Sequence, residues 1–359
     1  MTTTLTPPVA PAPPAGPGLL PRIGATVVRW FAALLGALVV FGAILLSRDV
    51  DPVTVLTDAW TSTMLDDFSL QQIVVKMAPF VLAALAVVVP ARAGLANVGG
   101  EGQVVIGAVA AAGTALALDR TLAGPVVIVL MIVAAALAGA AWAGIAGVLR
   151  LTVRVNEAVT TLLLNYVAFD VLLFLIYQPW RDNPAGQPSS RELATAAKLP
   201  LLGGGRINVG IIIALVAVLA VWLLLRSTTW GFKLSVVGGN AEAARRAGLP
   251  VTTLLLSALL LGGALAGIGG MVHFAGVEYK LRPDFGVNIG YIGFLASWLA
   301  RHRPLPVLLA AFTFAAFTVA GDSLQLDAGL PAATSNILTG LVLVAVLGWT
   351  AGAPKGAQS

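Results

Sequence analysis

The sequence predicts an all-α polytopic membrane protein: about ten transmembrane helices in two inverted repeats, spans two to five and seven to ten, with broken or re-entrant segments. Three observations carry this prediction. The 359 residues are 58% hydrophobic and 10% charged, with a mean hydropathy of +0.94, whereas soluble domains carry about 25% charge. Apolar runs approaching the ~20 residues that cross a bilayer recur along the chain. Two strings, Asn97-Val98-Gly99-x-x-Gly102 and Asn288-Ile289-Gly290-x-x-Gly293, share the pattern N-[VI]-G-x-x-G, and each opens the second span of its half. Inverted repeats place a transport path where such broken helices meet.

Taken in order, residues 1–21 are rich in Pro and Ala, carry no charged side chain, and read as a disordered tail. Residues 22–350 form the membrane domain, and 351–359 a cytoplasmic tail. Span one runs about Ala25–Leu46. The acidic segment Ser47–Gln72 reads as a hydrophilic loop with room for a short surface helix. Spans two and three, Ile73–Val89 and Val104–Leu118, flank the run Ala91–Gln103, whose four glycines argue against a continuous helix. Span four, Pro125–Leu149, repeats small residues at Ala135, Gly139, Ala143 and Gly147, a stripe suited to close helix packing. Span five is Glu157–Tyr177, with Asn156 as its N-cap and Glu157 in its first turn. A mixed loop, Gln178–Asn208, leads to span six, Val209–Leu225.

The basic loop Arg226–Pro250 ends in a short helix: Asn240 caps it, Glu242 suits its start, Arg245 and Arg246 its end, and Gly248 with Pro250 stops it. Spans seven to ten follow at about Val251–Met271, Gly290–Ala300, Pro304–Ala320 and Thr334–Thr350. Span eight is too short to cross alone. Lys and Arg favour one set of loops, through Arg92, Arg150, Arg154, Arg226, Lys233, Arg245, Arg246, Arg301 and Arg303, while most acids fall on the other side. This places the N-terminus inside the cell.

Composition also excludes several classes. There is no cysteine for disulfide or thiol chemistry, and His273 and His302 stand apart with no metal-site spacing. No phosphate-binding G-x-x-x-x-G-K-[ST] loop is present, so ATP hydrolysis is not expected on this chain. Asp170 is the only acid well inside a predicted span, unlike a proton pump's series. The net charge of +5 is spread over short loops and does not indicate nucleic acid.

The polar residues within the apolar frame are the candidate substrate path. Asn97 and Gln103 can both donate and accept hydrogen bonds, as a neutral polar solute requires. Glu101 either accepts from such a solute or holds the helix break by accepting freed backbone N–H groups. Asn165 lies near mid-bilayer with Tyr166 and Phe169 close by. An amide beside rings suits a heteroaromatic or sugar ligand, and an interhelical hydrogen bond is the alternative. Phe285 and Asn288 line the matching element of the second half.

Two stretches together bear a family resemblance. Gly94-Leu-Ala-Asn-Val-Gly-Gly-Glu-Gly-Gln103 resembles the GLxN[IV]GxEGQ run of ABC-transporter inner-membrane permeases for branched-chain amino acids, ribose and nucleosides. Asn156-Glu-Ala-Val-Thr-Thr-Leu-Leu-Leu-Asn-Tyr166 is similar to the NE-x-x-x-T-x-x-x-NY run of their nucleoside, or simple-sugar, branch. Trp230–Lys233, Val237-Gly238, Asn240-x-Glu-Ala-Ala and Ala247-Gly248 look like that branch's coupling loop, and Pro331–Ala345 resembles its last span. Ala96 stands where the family often has Phe, and Ile292 where a polar residue is usual.

The resemblance implies an importer permease in the bacterial cytoplasmic membrane, bearing no cofactor of its own. It implies a cytoplasmic ATP-binding partner that carries ATP-Mg, a second homologous permease as heterodimer partner, and an extracytoplasmic substrate-binding lipoprotein. It also implies that Lys233, Asn240, Glu242, Ala243, Ala244, Arg245 and Gly248 belong to the ATPase-coupling loop. Nucleosides or related neutral sugar-containing solutes are the expected cargo. Ribose, another simple sugar or a branched-chain amino acid is the alternative, and an ion-coupled secondary transporter is a different class.

Overall fold

The computed structural model describes residues 35–36, 38–118, 120–182, 186–327 and the single positions 337, 340 and 341. The chain divides into two compact units, Met1–Asp51 with Gly340–Ser359, and Pro52–Thr339. In the first, residues 38–46 are helical, within the predicted first span. Residues 35–36 are helical too; residues 25–34 and 37 of that span and both tails lie outside the described residues, as does the tenth span apart from three helical positions.

The second unit is helical throughout its membrane frame. Its elements are α1 (Pro52–Met64), α2 (Asp67–Arg92), α3 (Gly100–Leu118), α4 (Gly124–Val153), α5 (Glu157–Tyr177) and α6 (Gly210–Ser227). These are followed by α7 (Thr229–Gly239), α8 (Ala241–Arg246), α9 (Val251–His273), α10 (Ile289–Leu299) and α11 (Pro306–Asp327). One π-helical turn, Phe274–Glu278, continues α9. Among the described residues seven helices are long and apolar enough to cross a membrane: α2 to α6, α9 with its π turn, and α11. With the short α10 they correspond to predicted spans two to nine.

Helix α2 is the centre of this unit, with α6, α9, α10 and α11 packed around it and its side chains buried from Ala78 to Pro90. It has no polar stripe, as befits a helix surrounded by protein. The predicted small-residue stripe of α4 is buried and meets α9 backbone to backbone. A Cβ added at Gly267 would lie 2.1 Å from the Ala135 carbonyl oxygen, and one at Gly107 of α3 would lie 2.3 Å from Gly267 Cα. Small residues here let three helices approach to van der Waals contact of main chain, which is how helices associate where no hydrophobic force separates them from lipid.

Two expectations change. The acidic Ser47–Gln72 segment contains α1 and the start of α2, which Asp66 caps by accepting from Ser69 N at 2.9 Å. The Arg226–Pro250 loop holds two helices, α7 as well as the predicted α8, because Thr228 caps α7 by accepting from Gly231 N at 3.1 Å. The Gln178–Asn208 connector is irregular, as predicted, with one 3-10 turn at Thr195–Ala197. It is fastened to the segment after α9: Ser190, Leu193 and Leu199 donate their N–H groups to the carbonyls of Leu281, Tyr279 and Ala275.

Candidate functional site: the junction of two helix N-termini

The break between α2 and α3 begins at Pro90. Lacking an N–H, proline leaves the carbonyl four residues back without its helical donor. That carbonyl is Ala86 O, and the Asn97 side-chain amide donates to it at 3.0 Å. Gly94 then turns the chain with φ +77, a conformation that costs glycine nothing. Asn97 Oδ1 accepts from Gly99 N at 3.1 Å and from Gln103 Nε2 at 2.9 Å, while Asn97 Nδ2 donates to Gln103 Oε1 at 3.0 Å. The two amides form a closed pair, 0% and 1% exposed.

Helix α5 holds the other side of the break. Glu157, Thr161 and Asn165, spaced four apart and so on one face, each accept a backbone N–H: Ala96 N at 3.1 Å, Val98 N at 3.2 Å and Gly102 N at 2.8 Å. Glu157 also accepts from Arg150, and Asn165 Nδ2 donates to Val98 O at 3.1 Å. The acidic first-turn residue thus does more than favour its helix dipole.

Glu101, in the first turn of α3, reaches across to the second half. Its Oε1 accepts from Asn288 N at 2.5 Å, and its Oε2 from Gly290 N at 2.6 Å and Tyr291 N at 3.2 Å. These are donors at the start of α10, which have no partner within the helix. The contact demands glycine at 290, where a Cβ would lie 2.0 Å from Glu101 N. The two N-x-G strings therefore meet, α3 and α10 start against one another, and Glu101 caps the partner helix rather than its own.

The structure brings Asn97, Glu101, Gln103, Asn165 and the backbone of Asn288 together, with Thr161 and Tyr291 as members that the sequence reading omitted. Thr161 was legible as the third polar step of the α5 face; Tyr291 carried no signal. The Asn288 side chain is exposed, on a residue with φ 72. Phe285 sits apart, buried against His273 and Phe274 with ring centroids 5.1 and 6.4 Å away. Tyr166 is 65% exposed on the far side of α5 and Phe169 is half-buried, and the ring beside Asn165 is instead Tyr291, whose hydroxyl accepts from Asn165 Nδ2 at 3.4 Å. Outward of α9 lies a polar group absent from the candidates: Lys76 paired with Asp322 at 2.5 Å, and His273 Nε2 3.9 Å from Glu278.

The residues expected to couple to an ATPase lie on α7, on α8 and at its two ends. Asn240 Oδ1 accepts from Ala243 N at 2.9 Å, and Glu242 pairs with Arg245 and Arg246 at 2.9 and 3.2 Å. Gly248 ends the helix at φ +80 with open space about it. Only Ala244 is buried, leaving Asn240, Glu242, Ala243 and Arg245 on an exposed face; Lys233 is half-buried on α7. Helix α7 is tied to the break itself. A Cβ on Gly238 would lie 2.3 Å from Arg92 O, and Arg92 Nε donates to Ser235 Oγ at 2.9 Å. Among the described residues no group of three or more His, Cys, Asp or Glu could hold a metal ion.

The model of the family described as "Branched-chain amino acid transport system / permease component" matches residues 69–347, from the first turn of α2 through α11. The chain belongs to this permease family. It is 36% identical over 336 residues to a glucose ABC transporter permease protein of Haloferax volcanii, covering 89% of this chain and 88% of that one. It is also 27% identical to a guanosine ABC transporter permease protein of Bacillus subtilis, covering 91% and 94%. A nucleoside ABC transporter permease protein of Lactococcus lactis matches at 27% identity over 87% of each chain. The chain is thus a multi-pass permease of ABC-transporter type.

Proposed function

We propose that this chain is the permease subunit of an ATP-driven importer for nucleosides or sugars, working in a bacterial cytoplasmic membrane with its N-terminus inside. The family supports the transporter class, and the guanosine, nucleoside and glucose relatives support the cargo class. Hydrolysis would lie with cytoplasmic ATPase subunits carrying ATP-Mg, delivery with an extracytoplasmic binding protein, and a second permease would complete the path.

One observation carries the mechanism: α8, α7 and the helix break form a continuous solid connection. The exposed face of α8, from Asn240 to Gly248, docks on the ATPase. Its displacement passes through α7 to Arg92 and Gly94 by the Gly238 contact, and then along the residue 93–99 segment to the junction of α3 with α10. Asn97, Gln103, Glu101 and Asn165 direct their bonds within the chain, so their role is to position the two halves. Asn288 is different: its backbone belongs to the junction while its exposed amide faces outward, which makes it the cargo contact of this set.

Replacing Asn288 with Gly keeps the left-handed backbone and removes the amide. Uptake of labelled nucleoside or sugar should fall severalfold with unchanged thermal stability. Full uptake by Asn288→Gly would remove Asn288 from the path. An ATPase and a binding protein copurifying with the tagged chain would be the expected company, and their reproducible absence from membranes that transport the solute would defeat the ABC assignment.

A further inference from the structure

A cleft of about 790 Å³ opens between the end of α6, the start of α7 and the turn joining α10 to α11. Three arginines line it: Arg92 from the last turn of α2, Arg226 from the last turn of α6, and Arg303 just before α11. Among the described residues no carboxylate lines it and none of the three arginines forms an ion pair. The remaining wall is apolar and aromatic, with Trp222, Phe232 and Leu305 its largest side chains, Phe232 69% and Leu305 47% exposed.

Two of the guanidinium groups are held in place. Arg226 lies over the Trp222 ring, 5.0 Å from its centroid, and Arg92 donates to Ser235. The turn that presents Arg303 is itself constrained, with Arg301 and His302 at φ 51 and 53, and His302 Nδ1 2.8 Å from Ser297 Oγ. Such left-handed backbone on non-glycine residues costs about 1–3 kcal/mol each.

The arginines stand at the ends of membrane-length helices, on the side that the loop charges assign to the cytoplasm. Converging positive charge at that depth, beside an exposed apolar wall, matches a group with a phosphate at one end and hydrocarbon at the other. Fixed guanidinium forks suit phosphate oxygens, and basic pockets between spans at the cytoplasmic face recognise anionic headgroups. We propose that this cleft binds one anionic glycerophospholipid, its phosphate held by Arg92, Arg226 and Arg303 and its acyl chains laid along Trp222, Phe232 and Leu305. A lipid seated there would also brace α7, the element that connects α8 to the helix break.

The test uses the purified transporter in phosphatidylcholine nanodiscs titrated with phosphatidylglycerol, read by native mass spectrometry. Wild type should retain one phosphatidylglycerol per chain through delipidation and show no retained phosphatidylcholine. Replacing Arg226 and Arg303 together with Gln should weaken retention about 25-fold, roughly fivefold for each arginine near a membrane surface. Arg226→Lys should keep part of it. Arg154→Gln, exposed at the end of α4 outside the cleft, should leave retention unchanged, and a circular dichroism melt confirms that each variant is folded.

Equal losses from Arg154→Gln would reduce the effect to general surface charge and overturn the site. Competition by inorganic or glycerol phosphate at the same affinity would leave the apolar wall without a role and overturn the lipid assignment. Unchanged retention in the double variant, coupled with loss of the copurifying ATPase, would assign the cleft to protein docking instead. None of these readouts depends on which solute is imported.

Discussion

Glu101 provides the sharpest test of the junction. It supplies three acceptor contacts to the start of α10, at 2.5, 2.6 and 3.2 Å, from a side chain 1% exposed. Interhelical hydrogen bonds in membranes average about 0.6 kcal/mol, so three losses set a floor near 2 kcal/mol. Bonds to a charged or strongly polar partner start at about 1.5 kcal/mol each, so three of them set the upper figure near 5 kcal/mol. Glu101→Ala should therefore cost about 2–5 kcal/mol.

Glu101→Gln is more informative because it keeps the volume. One amide oxygen can serve either Asn288 N or the Gly290 and Tyr291 pair, and the NH2 group faces the remaining donor. Its cost should be about half that of Glu101→Ala. Thermal unfolding of the purified chain in detergent, followed by the exposure of buried tryptophan, reads both variants. The reasoning fails if Glu101→Gln is as stable as wild type yet abolishes uptake, since Glu101 would then be acting on the cargo and not on α10.

Further outcomes follow from the same geometry. Gly267→Ala should cost several kcal/mol or prevent insertion, because its Cβ would lie 2.1 Å from Ala135 O with only backbone to yield; a normal melt would contradict the close packing of α3, α4 and α9. Glu242→Ala should change stability little, since its ion pairs with Arg245 and Arg246 are exposed, but should sever ATP hydrolysis from uptake. Intact coupling would displace α8 from the docking role. Burial holds the His302 imidazole below its ordinary value of 6.5, so the unfolded chain takes up this proton first. Stability should be full above about pH 6.5 and decline as pH falls below it, and His302→Asn should flatten that slope in melts between pH 5 and 8.

How much of this was written in the sequence differs between elements. Span five was legible to both ends, Glu157–Tyr177, because an Asn cap and an unbroken apolar run define it locally. The break at residues 93–99 was legible from the glycines, while the part played by Pro90 emerged only from the structure. Helix α7 was not, since an 11-residue segment with three glycines and neither a long apolar run nor a clear apolar face has no hydropathy signature. The two N-x-G strings could be matched on paper, but their contact could not: Glu101 and its acceptor role lie 187 to 190 residues from their partners. Glu101 as a pin for the break was a sound option that chose the wrong helix, since it caps α10. Asn165 and Tyr166 are adjacent in sequence yet face opposite ways, because successive helix positions turn through about 100°, so the ring beside Asn165 is not the one that proximity suggested.

The central claim is that motion at α8 reaches the α3–α10 junction and moves a nucleoside or sugar. The measurement that tests it most directly is solute uptake into vesicles holding the reconstituted complex, comparing wild type with Gly238→Ala, whose Cβ would lie 2.3 Å from Arg92 O and force α7 off the helix break. A panel of labelled nucleosides and sugars should enter wild-type vesicles in an ATP-dependent manner. Gly238→Ala should still hydrolyse ATP while uptake falls severalfold. Uptake that persists without any ATPase, or the failure of every nucleoside and sugar to enter while ATP is hydrolysed, would contradict the account.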